Sequence, residues 1–293
     1  MEDIGEIMKK ISAQFTPEYL EQLSKDSYAE DRCYPENFSN WYYNIVDFGE
    51  FKHAEIISNQ ILTYEEVQAM QETDVYDKVN WEKINKILEP TLKLMKPNML
   101  YNIKNGCFSN KFDFSTCIAN TKNLVEQFWK INYESSMYST GGHTELVVRE
   151  LIPNTINNSY PTIYKGMPLR EEVRVFYNMD TKQIEYFVDY WDYEYCRPNI
   201  RNMNDQIIFD YFHNEIPGRL IKHKEAYEII CKYITKYISS LKFNNLKGIW
   251  SIDFLAEVNH DKLDYDIYLI DMARGFRSAY WDPSKLKSKE GDQ

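Results

Sequence analysis

The sequence has little glycine and lacks the cysteine and glycine motifs of several common enzyme classes. Of its 293 residues, 10 are glycine and five are cysteine. The cysteines are odd in number, widely spaced and never arranged as C-x-x-C, which argues against a disulfide framework or a zinc knuckle. No GxxxxGK[ST] loop, HRD with DFG, or G-x-S-x-G elbow is present, which disfavours P-loop and protein kinases and Ser-His-Asp hydrolases.

Long apolar runs and an excess of basic residues are also missing. No apolar stretch approaches the roughly 18 residues of a membrane span, and the opening MEDIGEIMKKIS lacks the apolar core of a signal peptide. We therefore expect an intracellular, cytoplasmic protein with no membrane partner. Lysine and arginine total 34 against 45 acidic residues, a net charge of −11. This balance offers no basic face to a nucleic acid, so an anionic ligand must be met by a few local cations.

Aromatic residues are plentiful, with 24 tyrosines, 15 phenylalanines and six tryptophans. Such a composition is typical of a chain with a buried core and excludes a disordered one. The first 95 residues are predicted to form helices joined by loops, because apolar residues repeat with the period of a helix at 4–11, 63–72 and 80–89. Pro90 is expected to end the last of these helices.

From residue 99 onward, short strand-like runs replace the helical spacing. A turn at 178–182 joins two of them as a hairpin, and helices are predicted at about 120–132 and from Ala226 to Leu241. The predicted strands are 99–104, 145–152, 171–177, 183–191, 248–258 and 266–273. Together these elements predict an α+β fold.

Two aspartates lie in the last predicted strand pair. If these strands form a hairpin centred on Lys262, Asp253 lies directly opposite Asp271, with the two Cβ atoms about 5 Å apart. Like charges so close are destabilising unless a cation lies between them. Mg²⁺ suits this position, because it accepts one or two carboxylates completed by water and phosphate. The alternatives are a slip in register or an ion pair with Arg274.

Candidate phosphate-binding cations precede the two aspartates. Lys104 and Lys111 flank a glycine-containing bend, where both can face one polyphosphate or both can simply be solvated. Glu172 and Arg174 share one face of a strand. They either pair with each other or leave the guanidinium of Arg174 to reach a phosphate oxygen.

Two further stretches complete the pattern. The run VVRELI at 147–152 is nearly continuous apolar sequence and contains Arg149 and Glu150. It is either an ordinary central strand or a strand that leads into a linker lying against an aromatic base. A tyrosine-rich stretch, VDYWDYEY at 188–195, follows the strand of Arg174. Its rings can fill the core while a hydroxyl reaches a polar site.

In this order the pieces resemble the ATP-grasp superfamily, most closely the eukaryotic cell-division-cycle ATP-grasp proteins that assist assembly of translation initiation factor two. That family carries K-x-N-x-S-x-P-[KR], V-x-R-x, E-F-R-x-F, Q-R-D-Y-x-x-Y-Y, F-D-x-Y and I-D-F-N-P in succession. The corresponding stretches are Lys104 to Lys111 with the same spacing, 147–151, 171–176, 188–195, 251–255 and 269–276. The resemblance spans about 99–283 and carries no motif within 1–95.

The resemblance implies an ATP-grasp fold, in which two α/β subdomains with antiparallel sheets clasp a nucleotide. The first subdomain would span 96–152 and hold the lysines and the hinge. The second would span 153–283 and hold the metal-binding strands. A mostly helical region at 1–95 would precede them, and a polar tail at 284–293 would follow.

The resemblance also implies the cofactors ATP and Mg²⁺ and a set of site residues. Lys104, Lys111 and Arg174 would face the phosphates, Arg149, Glu150, Leu151 and Ile152 would form the adenine hinge, and Asp253 with Asp271 would hold the metal. The chain departs from the family pattern at two positions. Asn110 replaces a proline, and Ala273, which cannot ligate a metal, replaces an asparagine. Binding of Mg-ATP is expected, whereas the loss of that ligand argues against a second metal and efficient phosphoryl transfer.

Two functions follow from the resemblance. In the first, an intracellular protein binds Mg-ATP between its subdomains and acts on or assembles a protein partner. In the second, the chain is an ATP-dependent carboxylate-amine ligase that forms an acyl phosphate, which an amine then attacks. No motif identifies the acid or the amine, and neither function involves direct contact with nucleic acid.

Overall fold

The computed structural model describes residues 16–72, 75–138, 143–152, 160–214, 223–259 and 264–287. Within these ranges the chain is a mixed α+β fold with antiparallel main sheets, which confirms the predicted class. The apolar spacing at 4–11 and the end of the polar tail lie outside the described residues. No helix of the described ranges is long and apolar enough to cross a membrane.

Helices predominate before residue 95 in the described part of the chain and recur between the later strands. The α-helices are α1 (Pro17–Arg32), α2 (Phe38–Trp41), α3 (Tyr64–Gln71), α4 (Trp81–Leu94), α5 (Leu124–Met137), α6 (Tyr193–Cys196), α7 (Met203–Asn214) and α8 (His223–Tyr237). Short 3₁₀ turns occupy Tyr42–Asn44, Tyr76–Lys78, Lys111–Cys117, Arg197–Asn199, Ile238–Ser240, Gly275–Arg277 and Pro283–Lys285. Helices α5 and α8 confirm the two predicted after residue 99.

The strands form two large sheets and two small pairs. They are β1 (Ile45–Asp47), β2 (Ile56–Ile61), β3 (Tyr101–Asn105), β4 (Ile118–Ala119), β5 (Glu145–Glu150), β6 (Thr162–Ile163), β7 (Met167–Pro168), β8 (Glu171–Asn178), β9 (Gln183–Asp189), β10 (Lys242–Phe243), β11 (Ile249–Asn259) and β12 (Asp264–Arg274). The small pairs are β1 with β10 and β6 with β7. Each strand predicted after residue 99 is present with slightly shifted ends.

Helix α4 continues through Pro90, so the expectation that this proline ends the helix is wrong. An interior proline removes a backbone hydrogen bond and costs a helix about 3 kcal/mol. Burial offsets that cost, because Ile84 and Leu88 on one face of the helix are fully enclosed. Beyond the proline, the hydroxyl of Thr91 donates to Gln60 Oε1 at 2.7 Å, which ties the last turn to strand β2.

The first large sheet has four antiparallel strands in the order β2-β5-β3-β4. Strand β2 was not predicted, because its sequence IISNQI does not alternate between apolar and polar residues. It pairs along β5, so residues before and after position 95 share one sheet. The change in sequence pattern near 95 therefore does not mark a break in the structure.

The second large sheet is also four-stranded and antiparallel, in the order β12-β11-β8-β9. Strands β8 and β9 pair through the predicted hairpin. Strands β11 and β12 pair with Asp253 opposite Asp271, as predicted. The register then shifts by one residue, so that Phe254 faces Leu269 and Ile270 is the extra residue of a β-bulge.

Each large sheet buries one face against helices, and side chains on the other face of the first sheet contact strand β12 of the second. In the first sheet, Ile103 packs in one cluster with Phe128 of α5, while its neighbour Lys104 points the other way. In the second sheet, Val173 packs with residues of α8, while Arg174 points away from them. The faces that carry charged residues therefore meet between the sheets.

Candidate functional site

Side chains of the first sheet bond directly to strand β12 of the second. Lys104 on β3 donates to both carboxylate oxygens of Asp271, at 3.0 and 2.9 Å. Arg149 on β5 donates through Nη1 to the backbone carbonyl of Ile270 at 2.6 Å. Its Nε donates to Asn102 Oδ1 at 2.9 Å. Lys104, a predicted phosphate-binding cation, and Arg149 of the predicted hinge thus meet the second sheet beside Asp271, a predicted metal ligand.

Arg174 and Asp253 form the second ion pair of the site. Their Cα atoms are partners across strands β8 and β11. The guanidinium binds the carboxylate with two hydrogen bonds of 2.7 Å, from Nε and from Nη2. Both residues are nearly buried, 8% and 4% exposed. Arg174 thus forms its ion pair with Asp253 of the neighbouring strand. Arg274, which the sequence had suggested as a partner for the two aspartates, binds Glu36 at 2.6 Å instead.

The two aspartates therefore lie side by side, each with its own cation. Burial would raise the pKa of Asp271, but the positive charges of Lys104 and Arg149 outweigh it and lower that pKa. Among the described residues, no three His, Cys, Asp or Glu side chains converge to hold a metal ion. A magnesium ion bound to Asp253 and Asp271 would need phosphate and water as its other ligands, which is its usual coordination in nucleotide sites.

Lys111 is held at the site by a tyrosine of the predicted tyrosine-rich segment. Its Nζ donates to the hydroxyl of Tyr190. The guanidinium of Arg174 lies 5.0 Å from the centre of the same ring. Burial alone would lower the pKa of Lys111, but the hydroxyl of Tyr190 and the carboxylates of Glu172 and Asp253 raise it. Lys111 therefore stays charged, and Tyr190 lies between two of the predicted phosphate-binding cations.

Glu172 is a member of the site that sequence reasoning missed. It lies two residues before Arg174 on the same face of β8, and that spacing was the available signal. Burial raises the pKa of Glu172 to about 7, with Lys111 opposing the shift and Asp253 supporting it. The carboxyl group of Glu172 therefore keeps its proton to a higher pH than an ordinary glutamate does.

A small cavity lies beside these charged groups. Its volume is about 110 Å³, and its walls are Asn102, Phe114, Arg149, Leu151, Ile152, Met167, Pro168, Arg170, Glu172 and Leu255. Three residues of the predicted hinge thus line it, while Glu150 lines a different cleft. The cavity is smaller than the roughly 300–1,000 Å³ of typical ligand pockets, so a nucleotide would require the sheets to move apart.

The bend between the two lysines is tightly packed against the segment around α2. The amide of Phe38 donates to the carbonyl of Gly106 at 3.0 Å. A Cβ atom on Gly106 would lie 2.4 Å from Asn37 Oδ1 and 2.7 Å from Glu145 Oε1. Asn110, which replaces the family's proline, accepts a hydrogen bond from the amide of Asp113 at 3.2 Å and begins the 3₁₀ turn.

The Gly106→Ala variant is expected to lose about 1–2 kcal/mol of unfolding free energy, because the added methyl group would overlap two buried polar side chains. Urea denaturation measures the loss. Ser109→Ala in the same bend is the matched control and is expected to stay within about 0.5 kcal/mol of the wild type. A Gly106→Ala protein as stable as the wild type would contradict the close packing of this bend.

The predicted phosphate and metal residues thus converge on one place between the sheets, although they are distant in the sequence. They are Lys104, Lys111, Arg174, Asp253 and Asp271. No family model, curated protein or solved structure matches this chain. The chemistry of the site therefore has to be argued from its own residues.

Proposed function

We propose that this protein binds Mg-ATP between its two antiparallel sheets and uses the complex to act on or assemble a protein partner, as an ATP-grasp protein would. The observation that carries the proposal is that three cations lie beside two adjacent aspartates: Lys104 binds Asp271, Arg174 binds Asp253, and Lys111 binds Tyr190 next to Arg174. Buried cations at this density require anionic partners. A polyphosphate supplies several such oxygens in one ligand.

The two ion pairs suit an exchange of partners. Phosphate oxygens would replace Asp271 as the acceptor for Lys104 and Asp253 as the acceptor for Arg174. The released carboxylates would then be available to Mg²⁺, which would neutralise both them and the phosphates. Each buried charge keeps an opposite charge beside it in both states, so the exchange avoids the large cost of an unpaired buried ion.

The cavity beside the ion pairs suits a flat, partly polar group such as a purine base. Leu151, Ile152 and Met167 supply apolar walls, while Asn102 and Arg149 supply hydrogen-bonding groups. Under the proposal the two ATP-grasp subdomains are built around the first and the second large sheet. The base would lie near the chain segment that connects β5 to the second sheet.

Calorimetric titration with ATP tests the proposal. We expect the wild type to bind ATP more tightly with Mg²⁺ than without it. Lys111→Met is expected to weaken binding at least about tenfold, or roughly 1.4 kcal/mol, because a half-buried charge that would face the phosphates is lost. Lys93→Met, on the exposed face of α4, is the matched control and keeps wild-type affinity. A folded wild type that does not bind ATP, or an unaffected Lys111→Met variant, would overturn the assignment.

A second candidate function is an ATP-dependent carboxylate-amine ligase. The observation that favours it is Glu172, a cavity-lining carboxyl group whose pKa of about 7 suits proton transfer. Ala273 argues against it, because alanine cannot ligate a second metal ion. Phosphate release measured across a panel of acids and amines separates the two. Turnover with any pair favours the ligase, and tight binding without turnover favours the first function.

A further inference from the structure

A second cleft lies on the other side of the predicted hinge from the small cavity. Its volume is about 370 Å³, and its walls include Phe48, Phe51, Lys52, Glu150, Ile152 and Tyr268. This volume lies within the range typical of ligand pockets. Ile152 borders both spaces, so the cleft and the small cavity share one wall.

The walls of this cleft are anchored in the second sheet. The amide of Lys52 donates to the carbonyl of Ile267 at 2.8 Å, and the amide of Leu269 donates back to the carbonyl of Lys52 at 2.9 Å. Phe51 and Tyr268 are both buried, and the ring of Phe51 packs 4.8 Å from that of Phe254 in the core. The cleft is therefore preformed and does not depend on a mobile loop tip.

The contacts of Lys52 indicate which kind of ligand this cleft accepts. The ammonium group of Lys52 lies 5.8 Å from the centre of the Tyr268 ring. It also pairs with Asp266 at 2.7 Å, although its side chain is 49% exposed. An aromatic face next to a carboxylate is the arrangement that attracts a cation. Lys52 is only loosely held there, because a half-exposed ion pair contributes little.

Glu150 extends this arrangement towards solvent. It is an exposed lining residue, and its amide donates to the carbonyl of Glu55 at 2.8 Å, which fixes the backbone beside the cleft. Glu150 thus places one carboxylate in the cleft wall next to aromatic rings, and Asp266 lies just behind that wall as the ion-pair partner of Lys52. The single lysine among these groups already has a carboxylate partner. Because Asp266 already neutralises Lys52, the carboxylate of Glu150 is the uncompensated charge of the cleft, and a cationic ligand would meet complementary charge there.

We infer that this cleft binds a basic side chain, most suitably an arginine, presented by a polypeptide partner. The guanidinium would displace Lys52 from the face of Tyr268 and pair with Glu150 and Asp266. Arginine suits the position better than lysine, because its planar group stacks on aromatic rings and binds carboxylates in two-point fashion. The inference rests on the proposed function in one respect. The proposed function invokes a protein partner, and the cleft adds that this partner presents an arginine.

Fluorescence anisotropy with a labelled arginine-containing hexapeptide tests the inference, using the full chain without nucleotide. We expect saturable binding of this peptide and no binding of the same peptide with glutamate in place of arginine. Glu150→Gln is expected to weaken binding roughly fivefold, because the arginine of the peptide loses a solvent-exposed carboxylate partner. Lys52→Ala is expected to strengthen binding roughly threefold, because it removes the ammonium group that competes for Tyr268.

Glu65→Gln provides the matched control, since Glu65 is an exposed glutamate on α3, away from the cleft. It is expected to bind the arginine peptide as the wild type does. Equal affinity for the two peptides, an unchanged Glu150→Gln variant, or weaker binding by Lys52→Ala would each overturn the inference. Peptide binding is measured without ATP, and ATP binding is measured without peptide. The cleft and the nucleotide site can therefore be refuted separately.

Discussion

Replacing Asp271 by asparagine is expected to lower the free energy of unfolding by about 3–5 kcal/mol. The reason lies in its partner, because Lys104 is only 1% exposed and its ammonium group donates to both oxygens of this carboxylate. Asparagine has nearly the same shape as aspartate, so the change removes charge without leaving a cavity. The lysine would then keep a buried charge with no anionic ion-pair partner.

Equilibrium denaturation in urea measures this effect, and a double-mutant cycle assigns it to the ion pair. Lys104→Met combined with Asp271→Asn is expected to be more stable than Asp271→Asn alone, because no buried charge then lacks a partner. Asp47→Asn is the matched control, since Asp47 pairs with Lys242 on the surface at 3.2 Å. It is expected to cost at most about 1 kcal/mol. Strictly additive losses in the cycle would show that the two residues do not interact.

The stabilising contribution of His223 is expected to disappear as the pH rises through about 9. This histidine begins the described part of α8, is 6% exposed, and lies between two carboxylates. Its Nδ1 contacts Glu171, and its Nε2 contacts Asp189 at 2.6 Å. Burial alone would lower the pKa of His223, but the hydrogen bonds to Asp189 and Glu171 raise it from the ordinary 6.5 to about 9.

The direction of the pH effect follows from proton binding. Because the folded pKa lies above the unfolded one, the folded protein binds more protons between pH 6.5 and 9. The contribution is fully present below pH 6.5 and is lost as the pH rises through 9. The size of the shift corresponds to about 3 kcal/mol.

Urea denaturation of the wild type and of His223→Gln, at several pH values, measures the contribution. The difference in unfolding free energy between the two proteins is expected to narrow from about 3 kcal/mol at roughly pH 6 to about zero at roughly pH 10. Comparing the two proteins removes the effect of the other groups that titrate in this range. His53→Gln, at an exposed histidine, is expected to keep the wild-type pH profile. A constant difference would show that His223 does not carry its charge in the folded protein.

The sequence allowed the pairing of Asp253 with Asp271 to be predicted, because strand pairing in a hairpin follows from counting residues about its turn. It also indicated that a hydroxyl of the tyrosine-rich stretch can reach a polar site, as the hydroxyl of Tyr190 does at Lys111. Both predictions rest on local pattern. Residues close in sequence determine the register of a hairpin and the position of a residue along its strand.

The ion pairs could not be predicted, because they depend on how two sheets meet. Lys104 could equally have been solvated, and Arg174 had Glu172 as a nearer partner in the sequence. The raised pKa of Glu172 likewise depends on burial between segments that are far apart along the chain. Strand β2 was missed for a related reason. Its polar sequence becomes a strand only because β5 offers an edge beside it.

The extra residue in strand β12 has a consequence for how the hairpin tolerates changes in length. Ile270 has no partner across β11, and its carbonyl accepts the hydrogen bond from Arg149 of the other sheet. Deleting it would give the hairpin a continuous ladder, but would also remove the acceptor that Arg149 of the first sheet uses. We therefore expect a deletion next to Asp271 to improve the strand pairing of the hairpin and yet to damage the site.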